Sequence, residues 1–230
     1  MFALNPPRPI AKSLRVLAAL LGYPDARMRG HLAEMRDLLR DERALAPSRL
    51  GELDALMDTL GRADPLDAEA DYVELFDRGR ATSLHLFEHV HGESRDRGPA
   101  MIDLGQTYEK AGLVLAEGEL PDYLPAVLEF VSTQPPREAR AFLAEMAHIF
   151  NAIFGALRQR DSAYASVLGA LLELAGEKAQ PLAPAVEEPL DESWAEPVVL
   201  DGCSSKGQAR PGQAQPIHVV RKNAQPGAAA

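Results

Sequence analysis

The sequence predicts an all-α protein: a compact, irregular multi-helix bundle over residues 1–176, followed by a mostly disordered, Pro- and Gly-rich tail over 177–230. Three observations carry this. Apolar residues recur at three- and four-residue spacing through almost every long segment before residue 177, the period of a buried helix face. No stretch of that body alternates apolar and polar residues as a half-buried strand does. Near residue 177 the composition changes. Pro181, Pro184, Pro189, Pro197, Pro211, Pro216 and Pro226 break any helix, and the segment buries too little to offset its ordering entropy.

The elements follow in order. Leu14, Leu17, Leu20 and Leu21 share one face of a first helix, which Gly22-Tyr23-Pro24 stops. The run from Val16 to Leu21 behind Arg8, Lys12 and Arg15 has the outline of a signal peptide. No small-x-small cleavage site follows it, so it is assigned to the bundle. Asp25 or Ala26 opens a helix with Met28, Leu32, Met35 and Leu39 on one face. Ser48 is the expected N-cap of the next, which carries Leu50, Leu53, Leu56 or Met57, and Leu60. Pro65 precedes a helix through Tyr72, Leu75 and Phe76. Ser83 is expected to cap another, which Gly92 ends.

Asp96 to Pro99 starts a helix with Met101, Leu104, Tyr108 and Leu115, and Pro121-Asp122 opens a short one through Leu124, Val127, Leu128 and Val131. Pro136 begins a long helix with Phe142, Met146, Ile149, Ile153 and Leu157 on one side. Asp161 or Ser162 caps a last helix, with Tyr164, Val167, Leu168, Leu171 and Leu172. The only candidate strands, Pro197 to Leu200 and Ile217 to Val220, fall in the tail. So does Trp194, an aromatic anchor in the acidic setting Leu190-Asp191-Glu192-Ser193-Trp194-Ala195-Glu196.

The chain has 230 residues, 46% of them apolar, which suits one domain of ordinary size with an appendage. Its formal net charge of −10 repels nucleic acid and anionic lipid and attracts basic peptides. There is no basic stripe with interleaved aromatics, so nucleic-acid binding is set aside. The one cysteine, Cys203, makes no internal disulfide and suits a reducing compartment. No apolar run approaches the roughly 18 residues that direct membrane insertion needs.

The stretch Ser83 to Gly98 holds the chemistry. His85-Leu86-Phe87-Glu88-His89 fits H-x-x-E-H, a zinc-hydrolase pattern. On a helix the rings of His85 and His89, four apart, share a face and can hold zinc, with Glu88 beside them. A hydrolase still needs a third protein ligand, and His91 lies too far around the helix to supply it. His91 near a helix end suits the helix dipole, and His148 reads as a partly buried core residue. No Gly-rich phosphate loop and no G-x-S-x-G elbow is present. Cys203 has nothing fixed nearby to activate it.

A third reading is a binding surface. Asp67, Glu69, Asp71, Glu74 and Asp77 crowd one short helix, interleaved with Tyr72, Val73, Leu75 and Phe76. An apolar groove rimmed by carboxylates selects a basic amphipathic peptide. An ordinary solvated face above a core face explains the same pattern.

The segment Tyr72-Val73-Glu74-Leu75-Phe76-Asp77-Arg78-Gly79-Arg80-Ala81-Thr82-Ser83-Leu84, continuing through Leu86-Phe87-Glu88-His89-Val90-His91-Gly92-Glu93-Ser94-Arg95-Asp96-Arg97-Gly98, closely resembles the NarJ family. The resemblance continues through Ala100-Met101-Ile102-Asp103-Leu104, Tyr108-Glu109 and Glu119-Leu120-Pro121-Asp122-Tyr123-Leu124-Pro125. It extends more loosely over 12–176 and includes the Trp194 segment. These are dedicated chaperones that assemble the molybdenum cofactor into respiratory nitrate reductase. The resemblance implies an all-helical, cytoplasmic protein without catalysis of its own and with no stably bound cofactor. It implies binding to the N-terminal segment of the apo catalytic subunit, and contact with molybdenum cofactor biosynthesis proteins is a further expected partnership. It also implies that the H-x-x-E-H match is accidental.

On that resemblance, the groove is expected between the 67–77 and 83–91 helices. Tyr72, Leu75, Phe76, Leu86 and Phe87 are candidates for its apolar floor, some of them core instead. Asp71, Glu74, Asp77 and Glu88 are candidates for pairing with basic residues of the peptide. Arg80, Arg95, Asp96 and Arg97 are expected to brace the loops, and His89 and His91 to make binding pH-sensitive near neutrality. The alternatives kept open are a small zinc hydrolase using His85, Glu88 and His89, and a chaperone for a related molybdoenzyme.

Overall fold

The computed structural model describes residues 9–91, 95–116 and 118–180, and these fold as the sequence predicts, almost entirely into helix. In chain order they are α1 (Ala11–Leu21), α2 (Ala26–Gly30), α3 (Leu32–Glu42), α4 (Pro47–Arg62) and α5 (Pro65–Phe76). A 3-10 turn (Arg80–Thr82) follows, then α6 (Leu86–Val90), α7 (Arg97–Lys110), α8 (Leu124–Ser132), α9 (Pro136–Glu145), α10 (Ala147–Gln159) and α11 (Ala165–Ala175). The tail beyond residue 180, with both candidate strands, Trp194 and Cys203, lies outside the described residues, as does Gly92. Among the described residues no helix is long and apolar enough to cross a membrane.

Two helices make the centre. α1 packs on α8, α3 and α11, and α11 packs on α10, α9 and α4. Leu14, Leu17, Leu20 and Leu21 of α1 have no exposed surface, so the signal-like run is core. Each such leucine removed from water contributes about 1.5–3 kcal/mol. α11 is buried from Ala165 through Leu172, as a helix apolar on every side must be. It ends at Gly176 (φ 82), where Glu177 N–H reaches back to the Leu172 carbonyl, a turn that needs the left-handed conformation.

α1 begins without a capping side chain of its own. Glu42, the last residue of α3, fills the role: its carboxylate accepts from the backbone N–H groups of Lys12 (2.9 Å) and Ser13 (2.7 Å). An acidic group at a helix N-terminus satisfies otherwise unpaired donors and suits the helix dipole.

The structure departs from the expected elements at identifiable places. The helix expected from Asp25 through Leu39 breaks at His31 (φ −100, ψ 3), after Gly30, a poor helix former. Met28, Leu32, Met35 and Leu39 are all buried despite the break. Asp25 does cap α2, accepting from Met28 N–H at 2.7 Å. Ser48 does not cap α4. Pro47 takes the first helical position, and Ala46 N–H donates instead to Glu173 (2.6 Å) on α11. The long helix expected from Pro136 breaks at Met146 (φ −89, ψ −1) into α9 and α10. His148, expected in the core, is exposed. α7 stops at Lys110, so Leu115 belongs to the following loop.

The expected cost of losing either device differs in size. Leu17→Ala should lower stability by about 3–5 kcal/mol, because it leaves a cavity in α1 with no exposed neighbour to fill it. Glu42→Ala should cost only about 1 kcal/mol, the value of a helix cap. Urea unfolding followed by circular dichroism measures both.

Candidate functional site

The candidate residues sit on α5, on the turn after it and on α6. Asp64 caps α5 by accepting from Leu66 N–H (2.9 Å), and Pro65 occupies the first helical position. Ala68, Tyr72 and Phe76, four apart, face the core, while Asp67, Asp71 and Glu74 face outward. Tyr72 donates to the Leu21 carbonyl (2.8 Å) and lies 3.1 Å from the Tyr123 hydroxyl. Its ring is 4.8 Å from Phe76, and Phe76 is 5.1 Å edge-on to Tyr164. Burial, then the Tyr123 hydrogen bond, push the Tyr72 phenol far above its ordinary range, so it stays neutral.

The chain leaves α5 through Gly79, which is buried because Thr82 Oγ1 and the Arg160 guanidinium lie where a Cβ would stand. Thr82 donates to the Leu75 and Gly79 carbonyls. Arg160, from the end of α10, reaches the Leu75 carbonyl and Thr82 Oγ1 at 3.5 Å each.

α6 starts at Leu86, two residues later than a Ser83 cap would place it. Ser83 instead accepts from His85 N–H (3.2 Å), and His85 is extended (φ −88, ψ 105). His85 is therefore not on a helix with His89, and the shared face that the zinc reading requires does not exist. The His89 Nε2 lies 2.9 Å from the Ser83 carbonyl, a contact that needs the proton on that nitrogen. Among the described residues no three His, Cys, Asp or Glu side chains gather as a metal site.

What organises α6 comes from elsewhere. Asp122 was expected to open α8, yet its side chain is fully buried under α6. Its carbonyl accepts from Leu86 N–H (3.0 Å) and its carboxylate from Phe87 N–H (3.1 Å). The same carboxylate lies 3.3 Å from His85 Nδ1 and 3.9 Å from Arg97. Leu124 N–H donates to the Leu84 carbonyl, completing a short antiparallel bridge of His85 with Tyr123. Arg97 also lies 3.6 Å from Glu88, which makes it a brace, as expected.

The candidate residues divide between two hollows. One, of about 580 Å³, is lined by Leu56, Leu60, Asp71, Glu74, Leu75, Arg78, Arg160 and Tyr164. Glu74 pairs there with Arg78 at 2.7 Å. The other, of about 380 Å³, lies on the opposite side of α5, with Tyr23, Tyr72, Phe76, Asp77, His85, Glu119, Leu120 and Tyr123 in its wall. Leu86 is core, Phe87 is half-buried with its ring 5.3 Å from His91, and neither lines these hollows.

Residues 26–169 match the family model described as nitrate reductase delta subunit. The chain belongs to this family. It is 48% identical over 162 residues to the nitrate reductase molybdenum cofactor assembly chaperone NarJ of Escherichia coli strain K12, covering 70% of this chain and 69% of that one. It is 32% identical over 157 residues to a protein of Bacillus subtilis strain 168 named a probable chaperone of the same kind, covering 68% and 84%. The fold is shared with a candidate redox enzyme maturation protein from Archaeoglobus fulgidus, with a TM-score of 0.55 over 77% of this chain and all of that one, at 20% identity. Both of these bacterial relatives carry the name of assembly chaperone.

Within this delta subunit family member, the residues that sequence reasoning left out of the site are Tyr23, Glu119, Asp122, Tyr123 and Arg160. Tyr123 and Asp122 stood in the Glu119-to-Pro125 motif, whose meaning became legible only once that loop was seen to close on α6.

Two expectations follow. Asp122→Ala should cost about 2–3 kcal/mol in urea unfolding, since it orphans the Phe87 N–H and leaves Arg97 only its Glu88 contact. Asp122→Asn, whose amide oxygen still accepts from Phe87, should cost less. The His85 pKa is raised, first by its hydrogen bond to Asp122, against opposing desolvation. A folded pKa above the unfolded value of 6.5 gives stabilisation that is complete below pH 6.5 and lost as pH rises through the folded value. The melting-temperature gap between wild type and His85→Asn should therefore shrink from about pH 6 to about pH 9.

Proposed function

We propose that this chain is a system-specific chaperone for a respiratory nitrate reductase. It binds the N-terminal segment of the apo catalytic subunit and assists molybdenum cofactor insertion before the enzyme docks on the membrane. It works in the cytoplasm, keeps no cofactor of its own and catalyses no reaction. The observation that carries this reading is the 48% identity to the Escherichia coli assembly chaperone, which spans the whole motif from Tyr72 to Pro125.

The larger hollow beside α5 supports the binding half of the reading. Leu56, Leu60 and Leu75 give it an apolar floor, and Asp71 and Glu74 stand exposed on its rim. A basic amphipathic helix gains there from apolar burial at about 25 cal/mol per Å² and from the rim charges, the second contribution weakening as salt rises. Tyr72 and Phe76 serve this surface from beneath, as the packing that fixes α5.

The test reverses the rim. In the Asp71→Lys, Glu74→Lys double variant both changes are on exposed side chains, so helical circular dichroism should be preserved. Calorimetry with the synthetic N-terminal peptide of the catalytic subunit should show roughly tenfold weaker binding at low salt, with most of the salt dependence gone. Unchanged affinity in the folded variant would place the peptide elsewhere.

A further inference from the structure

The smaller hollow has a different chemistry from the larger one. Its wall is aromatic: Tyr23, Tyr72 and Tyr123 all line it. Tyr23 and Leu120 stand at its mouth as large apolar side chains left 47% and 44% exposed. Two carboxylates face it, Asp77 at the end of α5 and Glu119 on the loop before α8. Among the described residues neither makes an ion pair or a side-chain hydrogen bond, whereas three carboxylates nearby are occupied. Glu69 accepts from Tyr23 (3.0 Å), Glu74 pairs with Arg78, and Asp122 is enclosed.

The three phenols cannot answer these charges. Tyr72 and Tyr123 are held neutral chiefly by burial, and Tyr23 first by its hydrogen bond to Glu69. Asp77 adds to the upward shift of all three, so its field reaches each hydroxyl. Among the described residues the only cationic group possible in the wall is His85, and its Nδ1 is turned to Asp122. An aromatic chamber with unanswered carboxylates at its rim suits a flat, delocalised cation. Such a cation stacks on rings and forks onto carboxylate oxygens, which a compact, strongly hydrated ammonium does less well.

We infer that the hollow between α5 and the loop before α8 is a socket for one arginine side chain of the bound peptide, with Asp77 and Glu119 as its counter-charges and the three tyrosines as its walls. This deepens the reading above and rests on it: the amphipathic body of the peptide lies along the larger hollow, and one basic residue turns across α5 into the smaller one. Asp77 and Glu119 belong to different elements, so the socket exists only while the loop before α8 is closed against His85. The volume, about 380 Å³, admits a guanidinium and part of its stem and excludes a whole helix turn.

The experiment is a double-mutant cycle by calorimetry on the full chain. The probe is the N-terminal peptide of the nitrate reductase catalytic subunit, with each arginine and lysine replaced in turn by glutamine. The protein partners are wild type, Asp77→Asn and Glu119→Gln, each with circular dichroism confirming the fold. One arginine position is expected to lose about tenfold in affinity on wild type, and much less on either variant. Its replacement by lysine should restore only part of that loss. Strictly additive effects at every position, or coupling that lysine restores in full, would overturn the arginine socket while leaving peptide binding intact. A peptide that fails to bind the wild type would overturn the reading beneath it and the socket with it.

Discussion

A single buried carboxylate holds the face formed by α6 and the loop before α8 together. Asp122 has no exposed surface, so leaving it unpartnered would be costly, and every partner it takes comes from the segment of 85–97. α6 is only five residues long and could not persist alone in water. Its first two N–H groups are satisfied by Asp122 rather than by a local cap. The α5 turn, α6 and the loop before α8 are thus one mechanical unit, and the hollow beside Tyr123 is a by-product of that closure.

The larger frame gives this unit a fixed base. α1 and α11 are buried on nearly all sides, and Tyr72 ties α5 to the end of α1 through the Leu21 carbonyl. The outward face of α5 is therefore displayed by a helix whose inward face cannot roll. Carboxylates on such a helix hold fixed positions, and a fixed, preformed surface lowers the ordering cost of any binding.

Much of the fold was legible because one-sided apolar spacing survives local irregularity. Met28, Leu32, Met35 and Leu39 are buried as their spacing requires, although the helix that carries them breaks at His31. The breaks at His31 and Met146 were not legible, since each is a near-helical turn that leaves the apolar stripe in register. Ser48 misled because Pro47 beside it was the stronger N-terminal signal. In the site, the acidic face of α5 was readable from composition. The H-x-x-E-H letters, kept only as an alternative, assume a helix through His85, and Asp122, 37 residues beyond His85 in sequence, makes that helix begin only at Leu86. No local pattern announces a capping residue at that distance. Only the Glu119-to-Pro125 motif, through its resemblance, marked the place.

The Arg160 contact behind Gly79 bears on when the protein becomes competent. Arg160 closes the turn after α5 from 78 residues further along the chain than Thr82, and Glu173 caps the N–H of Ala46 across 127 residues. Contacts of such long range cannot form while the C-terminal third is still in the ribosome. A nascent chain that has exposed α5 and α6 therefore has their sequence without their arrangement. The turn after α5 takes its final form only after α10 and α11 have been made and docked. Synthesis itself thus times the assembly of this face, and a truncated product would carry the motif without its arrangement.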